Sequence, residues 1–393
     1  MKKAVIVSAA RTPIGSFNGV LSSVSATRLG SIAITEALRR IELSGQEVDE
    51  VIMGNVLSAG LGQAPARQAS LGAGLPQSVG CMAVNKVCGS GLKAVMLANQ
   101  AIVSGDADVV VAGGMESMSN APYLLTKARS GYHMGHGELV DSMIRDGLWD
   151  VYNQFHMGEA AEVCADTLGI SREDQDQFAV LSYRRALEAI QRGKFRREIA
   201  SVPVSQRNGA DRLVEEDEEP KRVSLERLPT LRPAFKKNGR VTAGNASSIS
   251  DGAAALVVML EEKAKALGLN PLARIVGYGS FATDPAWFTT APVHTISALL
   301  KKTGRQLIDV DLFEINEAFA ASSIAVNREL GLDPNKVNVR GGAVALGHPI
   351  GASGARILTT LIHALEDMNL STGVASLCIG GGEGVAMMVE RET

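Results

Sequence analysis

Asn85-Lys86-Val87-Cys88-Gly89-Ser90-Gly91 places a cysteine in a glycine-flanked turn, directly ahead of the small, apolar, helix-patterned run 91–103. Two strings of the same kind lie far downstream: Gly347-His348-Pro349-Ile350-Gly351 and Cys378-Ile379-Gly380-Gly381-Gly382. Three reactive side chains in three backbone-rich turns point to covalent thiol chemistry with several roles filled at once. A thiolate is the nucleophile, and its pKa falls at a helix N-terminus, so Cys88 is expected to be lowered there. Each residue alone also has a plainer reading. Cys88 and Cys378 fit buried structural cysteines, His348 a loop histidine satisfied by backbone, and Asn316, just after the apolar run 312–315, a helix cap.

Working outward, short β-rich runs (4–7, 51–56, 109–112) alternate with helical patterns (29–40, 91–103), and a similar order recurs over 296–303, 312–315, 354–365 and 375–378. This alternation predicts α/β layers with largely buried strands. The halves also share wording. Ser90-Gly91-Leu92-Lys93 echoes Ser353-Gly354-Ala355-Arg356, each opening a helix. Val110-Val111-Ala112-Gly113-Gly114 echoes Leu377-Cys378-Ile379-Gly380-Gly381, each expected to end a strand. A duplicated pair of α/β domains brings such turns to a shared interface. Residues 116–249 break the rhythm with an acidic run at 215–219, clustered prolines and an amphipathic segment at 174–192, and read as an inserted loop domain. The expected division is 1–115 plus 250–270, then 116–249, then 271–393.

Among 393 residues, 46% are hydrophobic and 21% charged, an ordinary globular balance with room for more than one domain. A net charge of -3 gives no electrostatic case for nucleic acid. No apolar stretch reaches the roughly 20 residues that span a bilayer, and the strand-like start leaves no room for a leader, so a cytoplasmic protein is expected. Cys81, Cys88, Cys164 and Cys378 form no C-x-x-C pair. His133, His136, His294 and His363 show no carboxylate or cysteine at ligand spacing; no metal is expected.

Together with Asn316-Glu317-Ala318-Phe319, and in this order from Val5 to Val389, the strings resemble the thiolase family, most narrowly its acetoacetyl-CoA thiolases. The resemblance implies thiolase-like duplicated α/β domains in a layered αβαβα arrangement, with an inserted loop domain supplying coenzyme A contacts. It implies Cys88 as the acylated nucleophile, His348 as the base that takes its proton, and Cys378 as the acid/base for the α-proton. Asn316 positions a water, and the N–H groups of Gly380 and Cys88 form an oxyanion hole. Glu317 orients its neighbours. Leu148, His156, Met157, Phe235, Ala243, Gly244, Ser247, Ala318 and Phe319 carry over as substrate contacts, and Met157 and Phe288 as walls of a short acyl pocket. Pro220 stands where relatives place tyrosine or arginine, so Lys221 or Arg222 is expected to stack on the adenine instead. The loop 122–137 matches one that joins two dimers into a homotetramer.

The implied activity is a reversible ping-pong condensation of two acetyl-CoA into acetoacetyl-CoA and CoA. Coenzyme A thioesters are substrates, and no cofactor is needed. Three rivals are a broader 3-ketoacyl-CoA thiolase, a decarboxylating ketoacyl synthase, which Cys378 opposes because those enzymes pair cysteine with two histidines, and a non-catalytic CoA- or lipid-binding relative.

Overall fold

A computed structural model describes residues 2–206 and 209–392. Met1, Arg207, Asn208 and Thr393 fall within the expected domain ranges and lie outside the described residues. From its centre, one wing of the main sheet runs Ala4–Arg11, Ser250–Leu260, Val109–Ser117, Glu50–Gly54, Gly80–Val84. The other runs Ala273–Ala282, Glu383–Glu390, Thr372–Ile379, Leu312–Ile315, and ends in a parallel bridge between Phe313 and Val337. Each wing is paired antiparallel twice and then parallel twice going outward. Val5 and Ile6 pair with Arg274 and Ala273 to join the wings. The chain is therefore built twice on one plan.

Both sheet faces of each wing are covered, which is why the central strands are apolar throughout instead of alternating. Helices Ala26–Arg39 and Pro65–Gly72 cover one outer face, burying Leu29, Ile34 and Ala69 against Val51, Val111 and Val257. Helix Ala291–Thr303 covers the other through Ile296 and Leu299. Helices Ser90–Ser104 and Ser353–Asp367 lie between the sheets, packed on one another and on Leu256, Leu377 and Met387. Every residue from Ser353 to Leu365 is buried, as a helix enclosed on all sides requires. The layers thus read αβαβα. No described helix is long and apolar enough to cross a membrane.

The echoed glycine pairs do not serve the same purpose. Thr372–Ile379 does stop before its glycines, and Gly381 and Gly382 turn the chain at φ +94° and +85°. Val109–Ser117 instead continues through Gly113 and Gly114, because Ser250–Leu260 pairs with it as far as Ser117. A Cβ on Gly113 would stand 2.0 Å from the Ala254 carbonyl oxygen, so this glycine permits close backbone approach.

The segment between the wings is fastened to the sheet by the buried Arg11. Its guanidinium donates to Glu198 at 2.6 Å and to both oxygens of Asp217 at 2.7 and 2.8 Å. Arg11 also lies over the Phe195 ring.

Candidate active site

Cys88 immediately precedes the buried helix Ser90–Ser104, on a turn whose backbone is strained. Val87 takes a left-handed φ of +46°, unfavourable for a β-branched residue. The Ser90 hydroxyl holds it there, donating to the Val87 carbonyl at 2.6 Å and accepting from the Lys86 N–H at 2.8 Å. Gly89 has no room for a side chain, since a Cβ would sit 2.5 Å from Ile379. The N–H groups of Gly380 and of Cys88 itself point at the sulfur, the geometry wanted for an oxyanion on an adjacent carbonyl.

The expected lowering of Cys88 is reversed. Burial pushes the thiol up to about 11, outweighing the two N–H groups, and the Glu116 charge adds to the rise. The helix end acts on a half-buried sulfur set in an apolar cavity wall. Cys88 therefore rests as a thiol and needs a base.

His348 is buried, and burial lowers it to about 3, with Arg356 contributing, so the ring is neutral at ordinary pH. Gly347, at φ +105°, opens its turn, and the His348 N–H donates to Ser248 O at 3.1 Å. Nδ1 lies 2.6 Å from the Ser353 hydroxyl, and Nε2 lies 3.4 Å from Nδ2 of Asn316. The buried Oδ1 of Asn316 has no hydrogen-bond partner among the described residues, which suits an acceptor for water. Glu317 accepts from Ser182 Oγ at 2.6 Å, Asn338 Nδ2 at 2.9 Å and Val344 N at 3.1 Å. It braces loops and faces no reacting group.

Cys88, His348 and Gly380 line one cavity of about 600 Å³. Leu148, His156, Met157, Arg222, Phe235, Ala243, Ser247, Phe288, Ala318 and Phe319 complete much of its wall. Cys378 and Asn316 lie just behind it. Cys378 is packed with Met157, Phe288, Ala318 and Phe319, and burial raises its thiol strongly, with Cys88 close enough to raise it further. His156 caps helix Met157–Thr167, its Nδ1 accepting from Gly158 N at 3.1 Å, while its ring stacks on Phe235. Ser247 N donates to Ala318 O at 3.0 Å, tying the inserted segment to the Asn316–Phe319 turn.

Two expected contacts lie off this wall. Lys221 is drawn to Glu216 and faces a neighbouring groove. A Cβ on Gly244 would point at Leu228, 2.4 Å away, so its open side faces protein. His363, expected to lack a carboxylate, has Nδ1 3.7 Å from Glu366, one helical turn on. Sequence reading passed over Ser353, although its echo of Ser90 marked the position, Ile350, although it lies inside the quoted 347–351 turn, and Ser16, Phe17 and Ile249, which line the cavity without any local motif. Among the described residues no cluster of three His, Cys, Asp or Glu side chains is arranged to hold a metal.

The thiolase N-terminal domain family model matches residues 4–262 and the thiolase C-terminal domain model residues 269–391. A "Probable acetyl-CoA acyltransferase" of Staphylococcus aureus (strain COL) is 54% identical over 392 residues, covering 100% of both chains. Its counterpart in strain N315 is 53% identical over the same length. The crystal structure of the Bacillus anthracis acetyl-CoA acetyltransferase superposes with a TM-score of 0.97 at 45% identity, covering 99% of each chain. With both family models matched in order and nearly the whole length covered, this chain belongs to the thiolase family.

Proposed function

We propose that this chain is an acetyl-CoA C-acetyltransferase that works by ping-pong chemistry through an acetyl-cysteine. The observation that carries the reading is the convergence of Cys88, two N–H groups at its sulfur, and a neutral His348 on one apolar cavity, with Cys378 directly behind. At rest, burial of both groups opposes proton transfer from Cys88 to His348, so the transfer accompanies attack of the sulfur on a bound thioester carbonyl. The developing oxyanion falls to the N–H groups of Cys88 and Gly380. CoA leaves as its thiolate takes the proton of Cys378, the acetyl group stays on Cys88, and His348 holds the proton that Cys88 gave up. In synthesis, the Cys378 thiolate so formed removes an α-proton from a second acetyl-CoA. The enolate oxygen is held by His348 and an Asn316-bound water, its carbon attacks acetyl-Cys88 to give acetoacetyl-CoA, and the freed Cys88 thiolate takes its proton back from His348. Cleavage runs the same steps backwards, with free CoA removing the acetyl group.

Coenzyme A thioesters are the only small molecules this scheme requires. The adenine end lies toward Arg222, which lines the cavity, while Lys221 is engaged elsewhere. The loop through Tyr123, Leu125, Tyr132, Met134 and Leu139 exposes apolar side chains, supporting a homotetramer built from dimers. The division into 1–115 plus 250–270, 116–249 and 271–393, and a cytoplasmic location, complete the proposal.

A short acyl pocket follows from Met157 and Phe288, both buried in the cluster that holds Cys378. Each methylene forced in adds overpacking strain of about 1–3 kcal/mol. CoA-dependent cleavage of C4, C6, C8 and C16 3-ketoacyl-CoAs tests this reading. A C4 preference over C8 of about tenfold or more in kcat/KM, equivalent to roughly 1.4 kcal/mol, is expected. Equal rates across the series would mark a broad 3-ketoacyl-CoA thiolase instead.

A further inference from the structure

The turn carrying His348 belongs to the second half of the chain, yet it is seated on the strand ends of the first. The carbonyl of Gly351 is pressed against Gly54 and Gly114, the last pair of the parallel ladder between Glu50–Gly54 and Val109–Ser117; a Cβ on either would stand 2.7 or 2.1 Å from that oxygen. One side chain fastens the contact. Glu116, fully buried, accepts from Gly351 N at 2.9 Å and Val56 N at 3.0 Å through Oε2, and from Asn55 Nδ2 at 2.9 Å and Leu57 N at 3.1 Å through Oε1. Gly351 must be glycine for this approach, since a Cβ would lie 2.6 Å from Oε2.

We infer that Glu116 is a positioning residue that locks the His348 turn of the second half against the 55–57 loop of the first, next to Gly54, which abuts Ser90 and Gly91 at the end of the Cys88 turn. This rests on the proposed function only for the purpose that the alignment serves. Burial pushes Glu116 up to about 7, and the four donors on its two oxygens, which use every lone pair of a carboxylate, work against that rise and favour the anion that holds the turn. No other side chain bonds both the 55–57 loop and the 347–351 turn among the described residues. A shift of about 1 Å between nucleophile and base is enough to cost on the order of 100-fold in rate.

Glu116→Gln tests the inference, because the amide turns an NH₂ group toward donors while keeping size. Acetylation of Cys88 by saturating acetyl-CoA should slow by about 10–100-fold, the usual worth of a bond that orients a functional side chain. The KM for acetyl-CoA should stay within about threefold, since Glu116 does not line the cavity. Asn55→Ala, which removes one donor of four, should give a smaller loss of the same kind and serves if the Gln variant does not fold. A crystal structure of the variant, which needs no activity, should show the 347–351 turn displaced from Gly54 and Gly114. An undisplaced turn, unchanged acetylation, or equal losses in kcat and affinity would overturn the inference. Failure of wild type to form acetyl-Cys88 would instead sink the proposed function, leaving the displacement to decide this point.

Discussion

The two wings share strand order, strand direction and a buried helix opening with Ser-Gly, yet they carry different chemistry. In the first, the Ser90 hydroxyl closes a backbone turn, bonding Lys86 N and Val87 O, and the turn presents a thiol. In the second, Ser353 occupies the same place, but its hydroxyl meets an imidazole at 2.6 Å as well as Pro349 O at 2.9 Å. The glycines that follow are reciprocal. A Cβ on Gly91 would stand 2.7 Å from Ala355 N, and one on Gly354 would stand 2.2 Å from Leu92 N. Duplication thus supplies a symmetric frame whose two helices cross at their first turns. A few divergent turn residues put Cys88 on one side and His348 and Cys378 on the other, the division that the proposed function uses for nucleophile and proton-handling groups.

The largest effect should come from removing the one group that the first wing alone provides. Cys88→Ala should lower turnover below about one part in 10⁴ in both directions, with the fold intact. Mass spectrometry of wild type mixed with acetyl-CoA should place one acetyl group on Cys88. Label on Cys378 would mean that the roles of the wings had been assigned backwards.

Cys378→Ser probes the second wing. It should still form the acetyl-enzyme but lose about 10²–10⁴-fold in exchange of the acetyl-CoA α-protons with deuterated solvent, because a hydroxyl is too weak an acid/base near neutrality. Exchange as fast as wild type would exclude Cys378 as the base.

The neutral His348 should also leave a signature in stability. Its folded pKa of about 3 lies below the unfolded value, so the unfolded chain binds the proton first as pH falls. Its contribution is complete above about pH 6.5 and is lost as pH drops toward 3. Between pH 7 and pH 4 this amounts to roughly 3 kcal/mol. Urea unfolding of His348→Asn should show a stability-against-pH curve shallower than wild type over that window. Parallel curves would mean that the imidazole titrates normally in the folded chain.

The symmetric frame is tested last. Gly354→Ala and Gly91→Ala should each cost about 1–3 kcal/mol, because the obstructing atoms are backbone of the partner helix. Gly279→Ala, with nothing within 4 Å of its Cβ, should stay within about 0.5 kcal/mol. If the two helix glycines behaved like Gly279, the crossing would be looser than drawn.

The amino-acid sequence by itself determined the layered α/β plan, its duplication, and the three turns bearing Cys88, His348 and Cys378. These are matters of local grammar: apolar periodicity and the placement of Gly and Pro are written in neighbouring residues. Only the tertiary structure decided what depends on residues distant in the chain. The helix end beside Cys88 argued for a lowered thiol, and burial by the packed layers raised it. The glycines at 113–114 looked like a strand end, and the adjacent strand carried them on to Ser117. Lys221 was drawn to Glu216, away from the cavity, and Gly244 turned its open side toward Leu228. Glu116 bore no motif, because its four donors come from positions 55, 56, 57 and 351. Desolvation and close backbone approach are sums over neighbours in space, and those neighbours do not exist until the two wings have folded together.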